Sequence, residues 1–225
     1  MGGSSSHALH GLAPQKPRLR GVFHQWGFFV SLATGGALIT SARGGRALLG
    51  AAVFAAAVSG LLGVSALYHR IDWRASARRW MRRLDHAMIF VLIAATYTPF
   101  ALLALHGTLA TVLLIIAWSG AFGGIVLQLA WPSHPKWASS IIGMALGWAG
   151  IAAMTQLPGS IGWFAVTALI LGGLTYSAGA VVYALERPNP WPGTFGYHEI
   201  FHILVLLAAS VMYCVIAFAV LPLAG

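Results

Sequence analysis

A chain of 225 residues that is 59% hydrophobic, 8% charged and of mean hydropathy +0.81 carries more apolar surface than a water-soluble globule of this size can bury, so its solvent is lipid. The net charge of +9 would suit a nucleic-acid binder if it formed one patch, but the thirteen basic residues are parcelled out between apolar stretches. One cysteine, Cys214, lies in an apolar stretch, which excludes an intrachain disulfide and a thiolate metal site.

Residues 1–20, MGGSSSHALHGLAPQKPRLR, form a polar tail with Gly, Ser and Pro and no apolar core of a signal peptide, and are expected to be flexible. The MGGSSS start fits the loose myristoylation pattern, which few residues define. A single membrane domain over residues 21–222 follows. Its apolar stretches run at 21–41, 46–69, 84–105, 108–130, 137–157, 160–184 and 197–222, separated by charged or Pro/Gly-rich breaks, and each is long enough to cross a bilayer as a helix. None alternates with the two-residue period of a barrel strand, and a helix satisfies its backbone hydrogen bonds within one segment. The expected fold is therefore an all-α integral membrane protein, a seven-transmembrane-helix bundle.

With seven spans, the N-terminus and the loops after helices 2, 4 and 6 share one side. That side carries Lys16, Arg18, Arg20, Arg70, Arg74, Arg78, Arg79, Arg82, Arg83, Lys136 and Arg187, against Arg43 and Arg46 on the other. The positive-inside rule then puts the N-terminus in the cytoplasm and the C-terminus outside, as for a multi-pass protein of a bacterial inner membrane. The expected partner is membrane lipid, not nucleic acid. The run RIDWRASARRWMRR also suits anionic headgroups, although orientation alone explains it.

The last span contains His198-Glu199-Ile200-Phe201-His202, which fits the zinc-protease pattern H-E-x-x-H. Histidines at i and i+4 lie on one helix face, about 6 Å apart along the axis, within reach of one metal ion. Topology adds partners at the same depth. His69 ends helix 2, and Asp85 and His86 begin helix 3 at the same side. A catalytic Zn²⁺ takes three protein ligands and a water, and His69, His198 and His202 supply three neutral imidazoles. Asp85 is placed to take a proton from that water or to orient it, and Ser65, one turn before His69, can hydrogen-bond the water, a substrate carbonyl or Asp85. Plainer readings exist for each alone: an interfacial His69 bonded to a carbonyl, an Asp85 paired with Arg82 or favoured by the helix dipole, a Ser65 that only packs.

SALYH (65–69), RLDHAMIF (83–90), IAATYTPF (93–100) and HEIFHILV (198–205) resemble the S-x-x-x-H, D-H and H-x-x-x-H signatures of the hemolysin III group, which is grouped with the progestin and adipoQ receptors in a superfamily of proposed membrane hydrolases. The resemblance covers all seven expected helices. It implies a zinc ion held at the cytoplasmic side by His69, His198 and His202, with Ser65 and Asp85 beside it. For adiponectin-receptor relatives it implies ceramide-type amide hydrolysis; the function expected here is a zinc-dependent hydrolase of lipid amides or esters, ceramide-like ones among them, with zinc-bound water as nucleophile. One departure is that the family's acidic residue before the first-helix histidine is missing, GVFHQWG standing around His24, so the resemblance assigns His24 no role. Two other readings remain at this level: a receptor or hemolysin-like lytic protein with a structural zinc, and an intramembrane metalloprotease with Glu199 as base. The protease reading lacks a later carboxylate ligand, since residues 203–225 contain no Asp or Glu.

Overall fold

The structure, a computed structural model, describes residues 16–191 and 193–225. The first fifteen residues of the expected flexible tail, with the myristoylation pattern, lie outside the described residues. Seven helices are long and apolar enough to cross a membrane. They are α1 (Val22–Ser41), α2 (Gly45–Arg70), α3 (Ala75–Pro99), α4 (Gly107–Ala130), α5 (Lys136–Trp148), α6 (Leu157–Leu185) and α7 (Tyr197–Val215). Short π or 3₁₀ segments extend α3 through Phe100–Ala104, α5 through Ala149–Thr155 and α7 through Ile216–Val220 and Leu221–Ala224. The all-α, seven-helix expectation holds.

Boundaries differ from the hydropathy reading where hydropathy and helicity part company. α3 begins at Ala75 rather than near residue 84, because Ala, Arg and Met are good helix formers and the helix continues past the end of its apolar stretch. Its first turns carry Arg78, Arg79, Arg82 and Arg83, with Trp80 exposed and the Arg83 guanidinium 4.6 Å from its ring centroid. Pro99 closes α3 instead of kinking its middle. The next turn is a π turn in which the Leu105 N–H donates to the Phe100 carbonyl at 2.9 Å. In α6 the backbone breaks at Gly162, whose φ of 77° only glycine adopts freely.

Helices next to each other in sequence pack together, α5 more on α6 than on α4, and α1 also meets α7. α2 and α3 are the most buried of the seven. Leu38, Phe54, Leu61, Leu62, Leu92, Phe100, Met212 and Ile216 form the centre, whereas Phe122, Trp163, Phe164 and Phe218 point outward, as residues facing acyl chains do. Lipid tails are as apolar as leucine, so helices associate through close packing, and small residues supply it. A Cβ on Gly50 of α2 would stand 3.0 Å from the Pro99 Cα of α3, and one on Gly124 of α4 would overlap the base of the buried Phe90 ring of α3.

This packing has a measurable consequence. Gly124→Ala is expected to destabilise the protein in detergent by about 1–3 kcal/mol through overpacking against Phe90. Gly123→Ala, where a Cβ meets nothing within 4 Å, is expected to be neutral or slightly stabilising, since alanine is the better helix former. Equal unfolding midpoints for the two variants would show that the α3–α4 contact tolerates a larger residue.

Candidate metal centre

The starts of α1, α3 and α7 and the end of α2 meet at one end of the bundle, and every polar residue selected from the sequence converges there. His69 comes from the last turn of α2, and His198 and His202 from the first two turns of α7. One ligand atom from each of the three lies within 4.8 Å of the others, and all three side chains are buried. The His69 and His198 Nε2 atoms are 3.0 Å apart. Nitrogens sharing one tetrahedral ion at the usual bond length are about 3.3 Å apart, so this spacing is close to that of a ligand pair. His202 Nδ1 is buried without a hydrogen-bond partner. Three imidazoles packed so closely, with one nitrogen unsatisfied, fit a divalent ion that favours nitrogen.

Asp85, two to three turns into α3, places Oδ2 3.8 Å from His69 Nε2. It makes no ion pair with Arg82 among the described residues, so the plainer expectation for it is not what the fold uses. Ser65 lines the same small cavity as Asp85, His198 and His202. The cavity offers about 20 Å³, room for about one water or ion. A larger recess of about 370 Å³ at the far end, lined by Arg46, Leu105 and His106, gathers no set of ligating side chains.

His24 is the residue whose part the sequence left open. It lies buried in the first turn of α1, with its ring stacked on His202 at 3.7 Å between centroids and 7° between planes. Its Nε2 is 3.3 Å from the His202 carbonyl oxygen and its Nδ1 2.8 Å from Ser65 Oγ. A carbonyl only accepts, so the proton of a neutral His24 sits on Nε2 and Nδ1 receives the Ser65 hydroxyl hydrogen. With that tautomer Ser65 turns oxygen lone pairs toward the cavity. The signal in the sequence was its place in a first turn at the same side as the other histidines. The absent acidic neighbour hid it.

Glu199 does not line this cavity. Its Oε1 accepts from Arg20 Nε at 2.5 Å and its Oε2 from the Gly196 backbone N–H at 2.8 Å, and the residue has no exposed surface. A glutamate at the third helical position reaching back to the residue before the helix is an N-terminal capping contact. The H-E-x-x-H match thus consists of two histidines turned to the cavity and a glutamate that ties down the helix start. His86 lines the cavity and lies 3.4 Å from Tyr183 OH, while His134 bonds Ser139 and the Trp131 carbonyl.

Comparison with known proteins gives the family. A model of the haemolysin-III-related family matches residues 12–213. A hemolysin-3 homolog of Bacillus subtilis (strain 168) is 36% identical over 157 residues, covering 69% of this chain and 70% of that protein. Hemolysin-3 of Bacillus cereus is 36% identical over 142 residues, covering 63% of this chain and 62% of the relative. The adiponectin receptor protein of Drosophila melanogaster is 31% identical over 170 residues, covering 68% of this chain and 38% of that longer protein. A seven-helix membrane bundle with a buried histidine triad, matched along most of its length, is thus a member of the haemolysin-III-related family.

Proposed function

We propose that the protein is a zinc-dependent membrane hydrolase of lipid amides or esters, ceramide-like compounds among them, with the metal held by His69, His198 and His202. The observation that carries the reading is Asp85, a carboxylate 3.8 Å from His69 Nε2 on a helix that supplies none of the three histidines. Bound zinc would supply a Lewis acid for a carbonyl oxygen and bring the ionisation of a coordinated water near neutrality. Asp85 then takes the proton released in attack and returns it to the leaving group. Ser65, its hydroxyl hydrogen committed to His24, accepts a hydrogen bond from water and orients it. Ile89, Phe201 and Val205 wall the cavity and must shift to admit a lipid carbonyl, since the space present holds about one water.

A structural zinc site, as the receptor and lytic readings need, closes with four protein ligands. Among the described residues three are grouped, which supports an open position and the catalytic reading. The protease reading needs a free Glu199, and both of its oxygens are engaged away from the cavity. Eleven of the thirteen basic residues lie at the end of the bundle that holds the histidines, which supports an inner-membrane protein with the N-terminus and the metal centre on the cytoplasmic side.

Three outcomes are expected. Purified protein carries about one zinc per chain by elemental analysis, and His198→Ala with His202→Ala removes it; a double variant that keeps its zinc would put the site elsewhere. With zinc in excess, Asp85→Asn retains metal and fold but lowers hydrolysis of a ceramide-like panel about 10²–10⁴-fold, while Glu199→Gln lowers it far less. The reverse order would support the protease-type role for Glu199, and a zinc-loaded wild type that turns over no amide or ester would remove the enzyme reading. Reporters fused at residue 1 and after Gly225 are expected to read cytoplasmic and external, respectively.

A further inference from the structure

Residues 18–21, the end of the tail and the residue before α1, are tied to both helices that carry the histidines. On the α7 side, the Arg18 and Leu19 backbone N–H groups donate to the Gly193 and Thr194 carbonyls, each at 3.2 Å, and Arg20 Nε donates to Glu199 at 2.5 Å. On the α2 side, Gly21 lies against His69 so closely that a Cβ there would stand 2.6 Å from His69 Cβ, and next to it, in the first turn of α1, Gln25 Oε1 accepts from Arg70 Nε at 3.0 Å. The φ of 79° at Gly21 turns the chain from this segment into α1.

Glu199 is the residue on which the segment closes. A carboxylate with no exposed surface at the end of an apolar bundle is strongly unfavourable unless a cation meets it, and Arg20 is the cation that does. Glu199 follows His198 directly and precedes His202 by three residues, so whatever fixes its carboxylate fixes the first turn of α7 and with it both imidazoles. The other carboxylate oxygen holds the Gly196 N–H, which sets where that turn begins.

We propose that Arg20 is a positioning residue for the metal centre: through its buried ion pair with Glu199 it holds the His198/His202 turn in register with His69, and residues 18–21 act as a clasp between α7 and α2. The proposal deepens the zinc reading and rests on it for the metal, but the positional claim stands on the clasp contacts themselves. Groups that orient ligands from behind cost about 10–100-fold in metal affinity when removed. Arg20→Ala should approach the upper end of that range, because it strands a buried carboxylate. Arg20→Ala combined with Glu199→Gln should lose less than Arg20→Ala alone, since no unpaired charge remains, and Arg20→Lys should recover most of the loss because a cation survives.

The test is zinc release from full-length protein in lipid nanodiscs to a colorimetric chelator, with amide hydrogen exchange of residues 196–203 measured on the same variants. Support is faster release and faster exchange in Arg20→Ala, both reduced in the double variant and in Arg20→Lys. Wild-type release and exchange in Arg20→Ala would overturn the proposal, as would a double variant worse than Arg20→Ala. If wild type carries no metal, the zinc reading fails by itself, and exchange at residues 196–203 still decides whether Arg20 holds the α7 turn.

Discussion

The constraint on which the structure depends is the burial of polar side chains at one end of an apolar bundle. In a bilayer, groups such as histidine, aspartate and glutamate persist only if each finds a partner. Here six of them from α1, α2, α3 and α7 solve that problem together: His24 with Ser65 and the His202 carbonyl, Glu199 with Arg20 and Gly196, Asp85 beside His69, and the remaining imidazoles facing one another. The helix crossings follow from this. α1 must lie close enough to α7 for the His24 ring to stack on His202, and α2 must end where α7 begins.

Two kinds of polar arrangement coexist within one turn of α7. Glu199 is fully satisfied by protein and serves as a fixture. His202, three residues on, retains a nitrogen that the chain does not satisfy, and His198, one residue back, meets another imidazole, His69 Nε2, at 3.0 Å. The contrast separates scaffold from chemistry more sharply than the motif does, since a glutamate with both oxygens occupied does not move protons, whereas an orphaned imidazole nitrogen beside two others can bind a cation.

Much of this was legible in the sequence, for reasons that particular residues show. Hydropathy located all seven helices because lipid demands long apolar runs. The parity of seven spans brought His69, Asp85, His198 and His202 to one end before any contact was known. The sequence underestimated α3, whose Arg-rich first turns are helical without being apolar, and it did not foresee the π turn after Pro99. It left His24 unassigned, since a ring stacked on another ring from a helix 178 residues away leaves no trace in spacing. It read Arg18 and Arg20 as part of a loose tail, although Glu199 needed a cation that only the tertiary structure could identify.

The irregular backbone within the membrane helices has a distribution of its own. The π turns at Phe100–Ala104 and Ile216–Val220, the 3₁₀ stretch at Ala149–Thr155 and the break at Gly162 all lie at the end of the bundle away from the histidines. Bilayers differ in thickness, and a protein meets a mismatch by tilting, kinking or shortening its spans. A bundle whose deformable turns are gathered at one end can take up such a mismatch there, as a spring does, while the regular turns around the three imidazoles keep their ångström-scale spacing. Regular backbone is thus kept for the end that holds the three imidazoles, and irregular backbone for the other.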